Sequence, residues 1–116
     1  MFTSYYFAKK LDIDLLNPKF VGISLSIPSQ WQHITVYPPL FPTWDLLKKW
    51  RNKEITEDEY IVVYKEILNR LNPSRVYDEV GHDSVMLCWE KPNEFCHRHI
   101  VADWLSEHLG LIIEEI

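Results

Sequence analysis

The passage from residue 85 to residue 98 constrains the fold of this chain more than any other, because a buried strand ends in it and a helix begins. Residues 85–89 form a continuous apolar run, which is typical of a strand that is covered on both of its faces. A polar turn follows, and apolar residues then recur at helical spacing as far as Leu109. The passage therefore predicts a strand, a loop and a helix in succession.

Three further strands are predicted around this unit. Residues 2–8 are rich in aromatic and hydroxyl side chains, as strands are, and a short polar element follows from Lys9 onward. In residues 20–27 apolar side chains alternate with glycine and serine, which predicts a strand with one apolar face. A last short strand is predicted over residues 111–116.

Helical patterns occupy the middle of the chain. Thr43 is the predicted N-cap of a short helix, and Thr56 forms a capping box with Glu59 at the start of a longer one. The longer helix is expected to stop near Asn72, because the proline after it disfavours helical geometry in the preceding residue. Residues 74–80 are consistent with one more short helix.

Strands and helices in this order predict an α/β fold with a small, mostly parallel sheet flanked by helices. The length of 116 residues fits a single compact domain over residues 1–116. In open sheets of this kind, ligands bind outside the carboxyl ends of the strands. That edge is expected to gather Lys9, Ser26, Glu90 and the start of the last helix. The C-terminal strand–loop–helix unit therefore carries the candidate site.

Residues 28–53 differ in character from the rest of the chain, since they hold four of the seven prolines and three of the five tryptophans. Proline stiffens a loop and removes hydrogen-bond donors, while tryptophan supplies a large apolar surface. The segment is therefore expected to pack down over the domain as a lid or insertion. A loop that only covers the core is the simpler interpretation.

The start of the last helix carries several reactive side chains. With Asn93 taken as the N-cap, the helical wheel places His97 on the stripe that faces the sheet. Cys96 and Arg98 fall on the two flanks of that stripe and are not expected to be buried together. Glu90 comes at the carboxyl end of the preceding strand, from which its carboxylate is expected to approach His97.

The candidate catalytic residues are Glu90, Cys96 and His97. A glutamate–histidine pair is suited to acid–base catalysis, and Cys96 is a candidate nucleophile because a helix N-terminus and a nearby cation stabilise a thiolate. The structural alternative for Glu90 and His97 is a hydrogen bond that locks the loop to the helix.

The candidate ligand-binding residues are Arg98, Ser26 and Lys9. A guanidinium binds a phosphate or carboxylate through two parallel hydrogen bonds, so Arg98 suits an anionic ligand. Alternatively, Arg98 forms only a weak ion pair with Glu94, one helical turn earlier. Because Arg98 is predicted on a flank of the helix, its replacement by alanine is expected to weaken anion binding and to leave the fold nearly intact.

Zinc is worth considering because Cys88, Cys96, His97 and His99 cluster in the sequence. A tetrahedral zinc site needs ligands that converge at ~2.0–2.3 Å from one ion. On a helix, His97 and His99 diverge by about 160°, and Cys88 is most simply a small core residue. The sequence therefore predicts no metal site, and it indicates no other cofactor.

Composition argues against several classes of partner, although it does not exclude nucleic acid. The net charge of −5 opposes tight binding to nucleic acid, which depends on lysine and arginine. No apolar run approaches the ~18 residues of a membrane span, and the N-terminus lacks the pattern of a secretory signal, so we expect no membrane partner and a cytoplasmic location. Two cysteines give no disulfide framework and are predicted to be free thiols.

The strand over residues 85–89 and the helix that follows it resemble the signature of a known family. Leu-Cys-Trp-Glu over residues 87–90, a five-residue turn and Cys-His-Arg over residues 96–98 are followed by Val-Ala-Asp-Trp-Leu over residues 101–105. Together with the proline-rich middle of the chain, these motifs are similar to the domain of unknown function family 488. The resemblance implies a compact α/β domain and no particular activity. It marks Glu90, Cys96, His97 and Arg98 as the site. We call these four residues the candidate corner.

Two functions are consistent with the sequence. The first is the binding or processing of an anionic small molecule, such as a phosphate-bearing nucleotide, at the candidate corner. The second is a protein-interaction module, in which residues 28–53 form an apolar surface for a partner and the Cys-His-Arg turn is structural. Joint exposure of Trp31, Trp44 and Trp50 favours the second function, whereas a concave pocket that reaches the candidate corner favours the first.

Overall fold

The chain folds around a five-stranded parallel sheet in a computed structural model that describes residues 1–9, 11 and 19–116. Within those residues the strands are β1 (Phe2–Tyr5), β2 (Lys19–Gly22), β3 (Thr35–Val36), β4 (Ser84–Cys88) and β5 (Glu114–Glu115). The α-helices are α1 (Trp44–Arg51), α2 (Glu57–Leu68), α3 (Pro73–Val80) and α4 (His97–Leu109). The strands pair in the order β3-β2-β4-β1-β5, and each pairing is parallel. The predicted α/β fold with its C-terminal strand–loop–helix unit is confirmed.

The strand predicted from the apolar run is β4, and it lies at the centre of the sheet. All five of its residues are buried, because β1 and β2 flank it and its two faces are both covered. On one face Met86 packs among the helices, and on the other face Val85 and Leu87 pack against Trp31. The proline- and tryptophan-rich segment contributes to both faces, because Trp31 packs on this second face while Leu40 and Leu46 pack with the helices on the first.

The other strands are shorter than the sequence pattern indicates. β2 ends at Gly22 because the chain turns away there, and the hydroxyl of Ser24 donates to the carbonyl of Ser26 at 2.7 Å. The run of residues 111–116 contributes only β5, at the edge of the sheet beside β1. Lys10 and residues 12–18, where the short polar element is predicted, lie outside the described residues.

The middle helices begin where their caps predict. Thr43 caps α1 by accepting a hydrogen bond from the N–H of Leu46, and the capping box of Thr56 opens α2. However, α2 ends at Leu68 and does not reach Asn72. Asn72 adopts the extended conformation that a following proline requires and caps α3, so the chain must leave the helix several residues earlier.

The prediction that Asn93 caps the last helix is wrong. The N–H of Glu94 donates to the carbonyl of Lys91 at 3.0 Å, so the residues around Pro92 form a turn and not the first turn of a helix. The helix α4 begins at His97, and the extended Cys96 occupies its N-cap position. Cys96 therefore lies at the N-terminus of the helix, where the unpaired N–H groups are.

Helix α4 is buried on more of its circumference than its apolar stripe predicts. The stripe is confirmed at Ile100, Val101, Trp104 and Leu105, although His108 is exposed. Besides packing on β4 and β1, α4 packs against α2 and α3, which bury the flank of the stripe as well. None of the helices in the described part of the chain combines the length and the apolar character that crossing a bilayer requires.

The central position of α4 predicts a large loss of stability when Trp104 is truncated. Trp104 is 3% exposed and lies in the main apolar core, so Trp104→Ala is expected to lower the free energy of unfolding by ~3–5 kcal/mol in urea melts. The control is Val62→Ala on the outer face of α2, where the side chain is 60% exposed and the expected loss is below about 0.5 kcal/mol. Equal losses for the two variants would contradict the packing of α4 described above.

Candidate functional site

The candidate corner lies at the carboxyl edge of the sheet, where β1, β2 and β4 end side by side. Cys88 is the last residue of β4, and its carbonyl accepts the N–H of Tyr6, just after β1, at 3.0 Å. Ile23, just after β2, donates its N–H to the carbonyl of Leu87 at 3.1 Å. Three strand ends thus meet at one place and α4 begins beside them. This is the edge at which open α/β sheets bind ligands.

His97 is oriented by one hydrogen bond to the main chain. Its Nε2 lies 2.7 Å from the carbonyl oxygen of Ile23. Because a carbonyl only accepts, Nε2 carries a proton and donates it, which leaves Nδ1 of the neutral ring with a free lone pair. The ring packs edge-on against Tyr64, with centroids 5.5 Å apart, and it is buried beneath α2. His97 therefore faces inward, as predicted, and presents a proton acceptor to the site.

The Nδ1 of His97 faces two thiols. It lies 3.4 Å from the Sγ of Cys88 and 3.9 Å from the Sγ of Cys96, and the two sulfur atoms are 2.6 Å apart. Both cysteines are free and buried. The centre of the site is therefore a cluster of two thiols and one imidazole.

Glu90 lies beside the thiols. Its Oε2 is 3.4 Å from the Sγ of Cys88, which donates to it, and Cys96 is a second neighbour. Burial raises the pKa of Glu90, and the negative charge and hydrogen bonding of Cys96 raise it further. The carboxyl group therefore keeps its proton to a higher pH than an ordinary glutamate, which suits a general acid.

The two thiols differ in how readily they ionise. Burial raises the pKa of the Cys96 thiol. Hydrogen bonds with Cys88 and His97, and the charges of Arg98 and of His97 once its Nδ1 holds the thiol proton, outweigh burial and hold that pKa well below its usual value. The helix N-terminus at Cys96 acts in the same direction. Burial and the neighbouring Cys96 raise the pKa of the Cys88 thiol well above its usual value. We therefore assign the thiolate to Cys96 and the remaining proton to Cys88.

Arg98 is fully buried, and Cys96 is buried as well, so the expectation that the two are not buried together is wrong. Its guanidinium pairs with Glu115 of β5, donating from Nε at 3.0 Å and from Nη2 at 2.7 Å. Thr3 of β1 holds the same carboxylate through its hydroxyl at 2.6 Å. The flank is buried because α4 is enclosed by other elements on two sides. The ion pair with Glu115 takes the place of the weak pair with Glu94 that the sequence allowed.

The buried position of Arg98 changes its role. A free guanidinium would grip a ligand, whereas this one is engaged by Glu115 and lines neither cleft beside the thiols. Within the described residues its Nη1 has no hydrogen-bond partner. Arg98 therefore acts on the site as a fixed positive charge near Cys96. Its replacement by alanine is expected to destabilise the fold, contrary to the expectation from the sequence.

Two small clefts reach the thiols from different sides. The first has about 300 Å³ of empty space, including space open to solvent, and it exposes the edge of Cys88. Ser26, which the sequence predicts to bind a ligand, lines this cleft, whereas Lys9 is exposed in a turn after β1 and lines neither cleft. The cation that does line the first cleft is Arg51, from the end of α1, which is exposed.

The second cleft reaches Cys96 and is walled by aromatic rings. It has about 220 Å³ of empty space, and Trp50, Tyr60 and Phe95 surround it. Their ring centroids lie 4.7–6.0 Å apart in tilted and edge-on arrangements, which aromatic side chains prefer. Three residues line both clefts, so the two clefts are neighbours. These residues are Leu47, Glu90 and His97.

Cys88, Cys96 and His97 could offer a metal three donor atoms within 4.8 Å of one another. Two thiolates bound to one tetrahedral zinc ion at ~2.3 Å stand about 3.8 Å apart, whereas these sulfur atoms are 2.6 Å apart. His99, the fourth residue considered from the sequence, does not belong to this group. The sulfur atoms are thus closer together than two ligands of one zinc ion, and the absence of a metal stays a prediction.

Sequence reasoning missed two residues of the site. It treated Cys88 as a core residue, and although Cys88 is buried, it contacts every reactive group here. The signal was present, because Cys88 and Glu90 alternate onto one face at the end of a central strand. Arg51 was not considered as a site residue, because nothing in the sequence joins the end of α1 to the end of β4.

The buried ion pair predicts an acid-sensitive contribution to stability. Burial would raise the pKa of Glu115, but Arg98 and Thr3 hold it below its usual value. Because this pKa is lowered, the ion pair stabilises the fold fully at pH values above ~4.3, the pKa of a glutamate in the unfolded chain. The stabilisation is lost as the pH falls through the pKa of Glu115 in the folded protein. Glu115→Gln is expected to cost about 3 kcal/mol at pH 7, the low end for a buried pair, since Glu115 is 22% exposed.

Urea melts at a series of pH values test this expectation, with Glu114→Gln at the exposed neighbouring position as the control. The difference between the parent and Glu115→Gln is expected to shrink below about pH 4. A constant difference, or an equal loss in Glu114→Gln, would contradict the structural role of the pair.

Comparison with known families identifies the chain through this same region. Residues 18–109 match the family model DUF488-N3a, which is described as the active DUF488-N3 subclade. The match includes β4, the turn and α4, and it excludes Lys9 and Glu115. Comparisons with curated proteins and with solved structures found no match. The matched region covers most of the chain, and the protein therefore belongs to the domain of unknown function family 488.

Proposed function

We propose that this protein binds and chemically transforms a small anionic molecule, with Cys96 as the nucleophile and phosphate-bearing molecules such as nucleotides as the first class to test. The observation that carries the proposal is the contact of the Cys96 sulfur with a second thiol and with the side chain of His97, where two neighbouring clefts reach the sulfur atoms. A cysteine placed for packing alone needs none of these partners.

The roles in the proposed reaction follow from the protonation states. The thiolate of Cys96 attacks an electrophilic centre of the ligand, and the leaving group takes the proton of Glu90, whose raised pKa keeps that proton available. The Glu90 carboxylate then accepts a proton from water, and the hydroxyl of that water replaces the sulfur on the ligand. This second step releases the product and restores the thiolate of Cys96 and the acid form of Glu90.

Arg51 is the proposed contact for the anionic group. It lines the first cleft with Ser26, whose hydroxyl is suited to the same anion. Its guanidinium lies 5.9 Å from the ring centroid of Trp44, a contact that limits its freedom without neutralising its charge. Arg98 contributes to the site through the effect of its charge on Cys96, since Glu115 occupies its Nε and Nη2 donors.

The alternative is an interaction module formed by residues 28–53. Its three tryptophans do not share one exposed surface, because Trp31 is 2% exposed and packs under the sheet while Trp44 is 61% exposed on α1. Trp50 packs against Phe95 in the wall of the second cleft. This distribution supports the small-molecule site, in which the segment serves as one wall.

Other features agree with an enzyme of a reducing compartment. Two free thiols in contact suit the cytoplasm, and a net charge of −5 is unsuited to a nucleic-acid surface. The family model that the chain matches is described as an active subclade, which supports catalysis. We therefore propose a cytoplasmic enzyme whose partner is a small molecule, with neither membrane nor nucleic acid required.

The nucleophile is tested by differential alkylation of the folded protein. An iodoacetamide-type reagent is expected to label Cys96 well before Cys88. As the pH is raised, the labelling rate of Cys96 should reach its plateau at a lower pH than that of an ordinary thiol, whose pKa is ~8.5. Cleavage after Glu90 or Glu94 places the two cysteines on separate peptides, so mass spectrometry assigns each label. In Cys88→Ser the pH at which the labelling rate of Cys96 reaches its plateau should change only modestly, because the serine hydroxyl still donates to the thiolate. Labelling of Cys88 first would remove the proposed nucleophile.

The anion site is tested by a thermal-shift screen of inorganic phosphate and nucleoside phosphates, with the parent nucleosides as uncharged controls. A ligand at 100 times its dissociation constant is expected to stabilise the fold by ~2.7 kcal/mol. Arg51→Ala should abolish most of the shift, whereas Arg70→Ala, an exposed arginine after α2, should retain it. Loss of the shift in Arg70→Ala alone would place the anion elsewhere.

A further inference from the structure

We propose that Cys88 and Cys96 form a reversible intramolecular disulfide when a hydroperoxide reaches the site, so that the pair is a redox modification site as well as part of the candidate corner. The inference rests on the mutual placement of Cys88, Cys96, His97 and Arg98, and the disulfide bond forms without any ligand. Its consequence, loss of the nucleophile Cys96, rests on the proposed function.

The two sulfur atoms are already close to bonding distance. They are 2.6 Å apart, and a disulfide bond is ~2.05 Å long, so each sulfur must move by only about 0.3 Å. Cys88 ends a strand and Cys96 precedes a helix, with residues 89–95 forming the loop between them. Closing that loop therefore requires no rearrangement of the sheet or of α4.

The surrounding groups divide the chemistry between the two thiols. Cys96 lies at the N-terminus of α4 and in the field of Arg98, so it is the thiol that attacks an oxidant. Cys88 keeps its proton and touches the Nδ1 of His97 at 3.4 Å, so it is the thiol that resolves the oxidised sulfur. A low-pKa cysteine beside a resolving cysteine is the arrangement found in redox-sensing sites.

The reaction balances with hydrogen peroxide as the oxidant. The thiolate of Cys96 attacks one peroxide oxygen, the O–O bond breaks, and the departing hydroxide takes the proton on Nδ1 of His97 to leave as water. Cys96 is now a sulfenic acid. Nδ1 of His97 then takes the proton of Cys88, the Cys88 sulfur attacks the Cys96 sulfur, and the S–O bond breaks. The second hydroxide leaves as water with the proton from His97. Two thiols are oxidised to a disulfide, and one peroxide is reduced to two waters.

The clefts explain how a buried pair meets an oxidant. Cys88 and Cys96 are 1% and 3% exposed, which excludes large reagents, but each lines one of the two clefts that open to solvent. A peroxide molecule is little larger than a water molecule. The narrow access selects small oxidants, and small thiols or dithiols can reverse the bond only after local opening of the loop.

The experiment treats the reduced, folded protein with a small excess of hydrogen peroxide at neutral pH, followed by intact-mass spectrometry. The expected product is lighter by about 2 Da, because two hydrogen atoms leave as the bond forms. After denaturing alkylation and cleavage at Glu90 and Glu94, the peptides that carry Cys88 and Cys96 should remain linked until dithiothreitol separates them. Dithiothreitol should also restore the mass of the reduced protein.

Two variants separate the roles of the thiols. Cys88→Ser should lose the lighter product and accumulate oxygen on Cys96, since nothing resolves the sulfenic acid. Cys96→Ser should react with peroxide at least about tenfold more slowly than the parent, because Cys88 stays protonated. Circular dichroism confirms that each variant is folded, and if either is not, the mass of the parent protein alone decides the matter.

Three results would overturn the proposal. One is oxidation of Cys96 to sulfinic or sulfonic acid in the parent while Cys88 stays reduced. A second is linkage only after the protein has been unfolded. The third is one bound zinc ion per chain that protects both thiols from peroxide, which would make the pair a metal site. The thermal-shift screen uses the reduced protein, so each of these results leaves the proposed anion site to be judged separately.

Discussion

The hydrogen bond from Nε2 of His97 to the carbonyl of Ile23, at 2.7 Å, is the interaction on which the rest of the site depends. It ties the first residue of α4 to the end of β2, so the helix start is held against the central sheet across 74 residues of sequence. It also selects the tautomer, because the carbonyl can only accept. Without it, Nδ1 would not be held against the thiols, and Cys96 would lose the neighbour that takes its proton and stabilises its ionised state.

A second constraint is the positive charge that the fold buries next to this histidine. A guanidinium enclosed by protein carries a large desolvation cost unless a carboxylate and further hydrogen bonds offset it. Glu115 supplies the carboxylate and Thr3 holds it in place, so the C-terminal edge strand and β1 both serve the start of α4. The edge strand β5 is two residues long, yet it neutralises Arg98. The short strand therefore has an electrostatic role that its length does not suggest.

The sequence predicted the parts of this protein that depend on local patterns. The apolar run of β4, the caps at Thr43 and Thr56 and the inward face of His97 follow from burial, capping and helical periodicity, each of which acts over a few residues. The start of α4 was misjudged because a turn at Pro92 competes with helix initiation. Arg98 was misjudged because its burial depends on α2, α3 and β5, which one helical wheel cannot represent.

The acid–base character of the site follows from the competition of three acidic groups for few positive partners. Glu90, Cys88 and Cys96 lie in contact in a partly dry environment, where two adjacent negative charges repel strongly. The charge settles on the group with the most stabilising neighbours, which is Cys96, beside the helix N-terminus, His97 and Arg98. Because that charge is present, Glu90 and Cys88 are driven to keep their protons. One ionisation thus creates a nucleophile, a general acid and a resolving thiol together, and no further residue is needed to divide these roles.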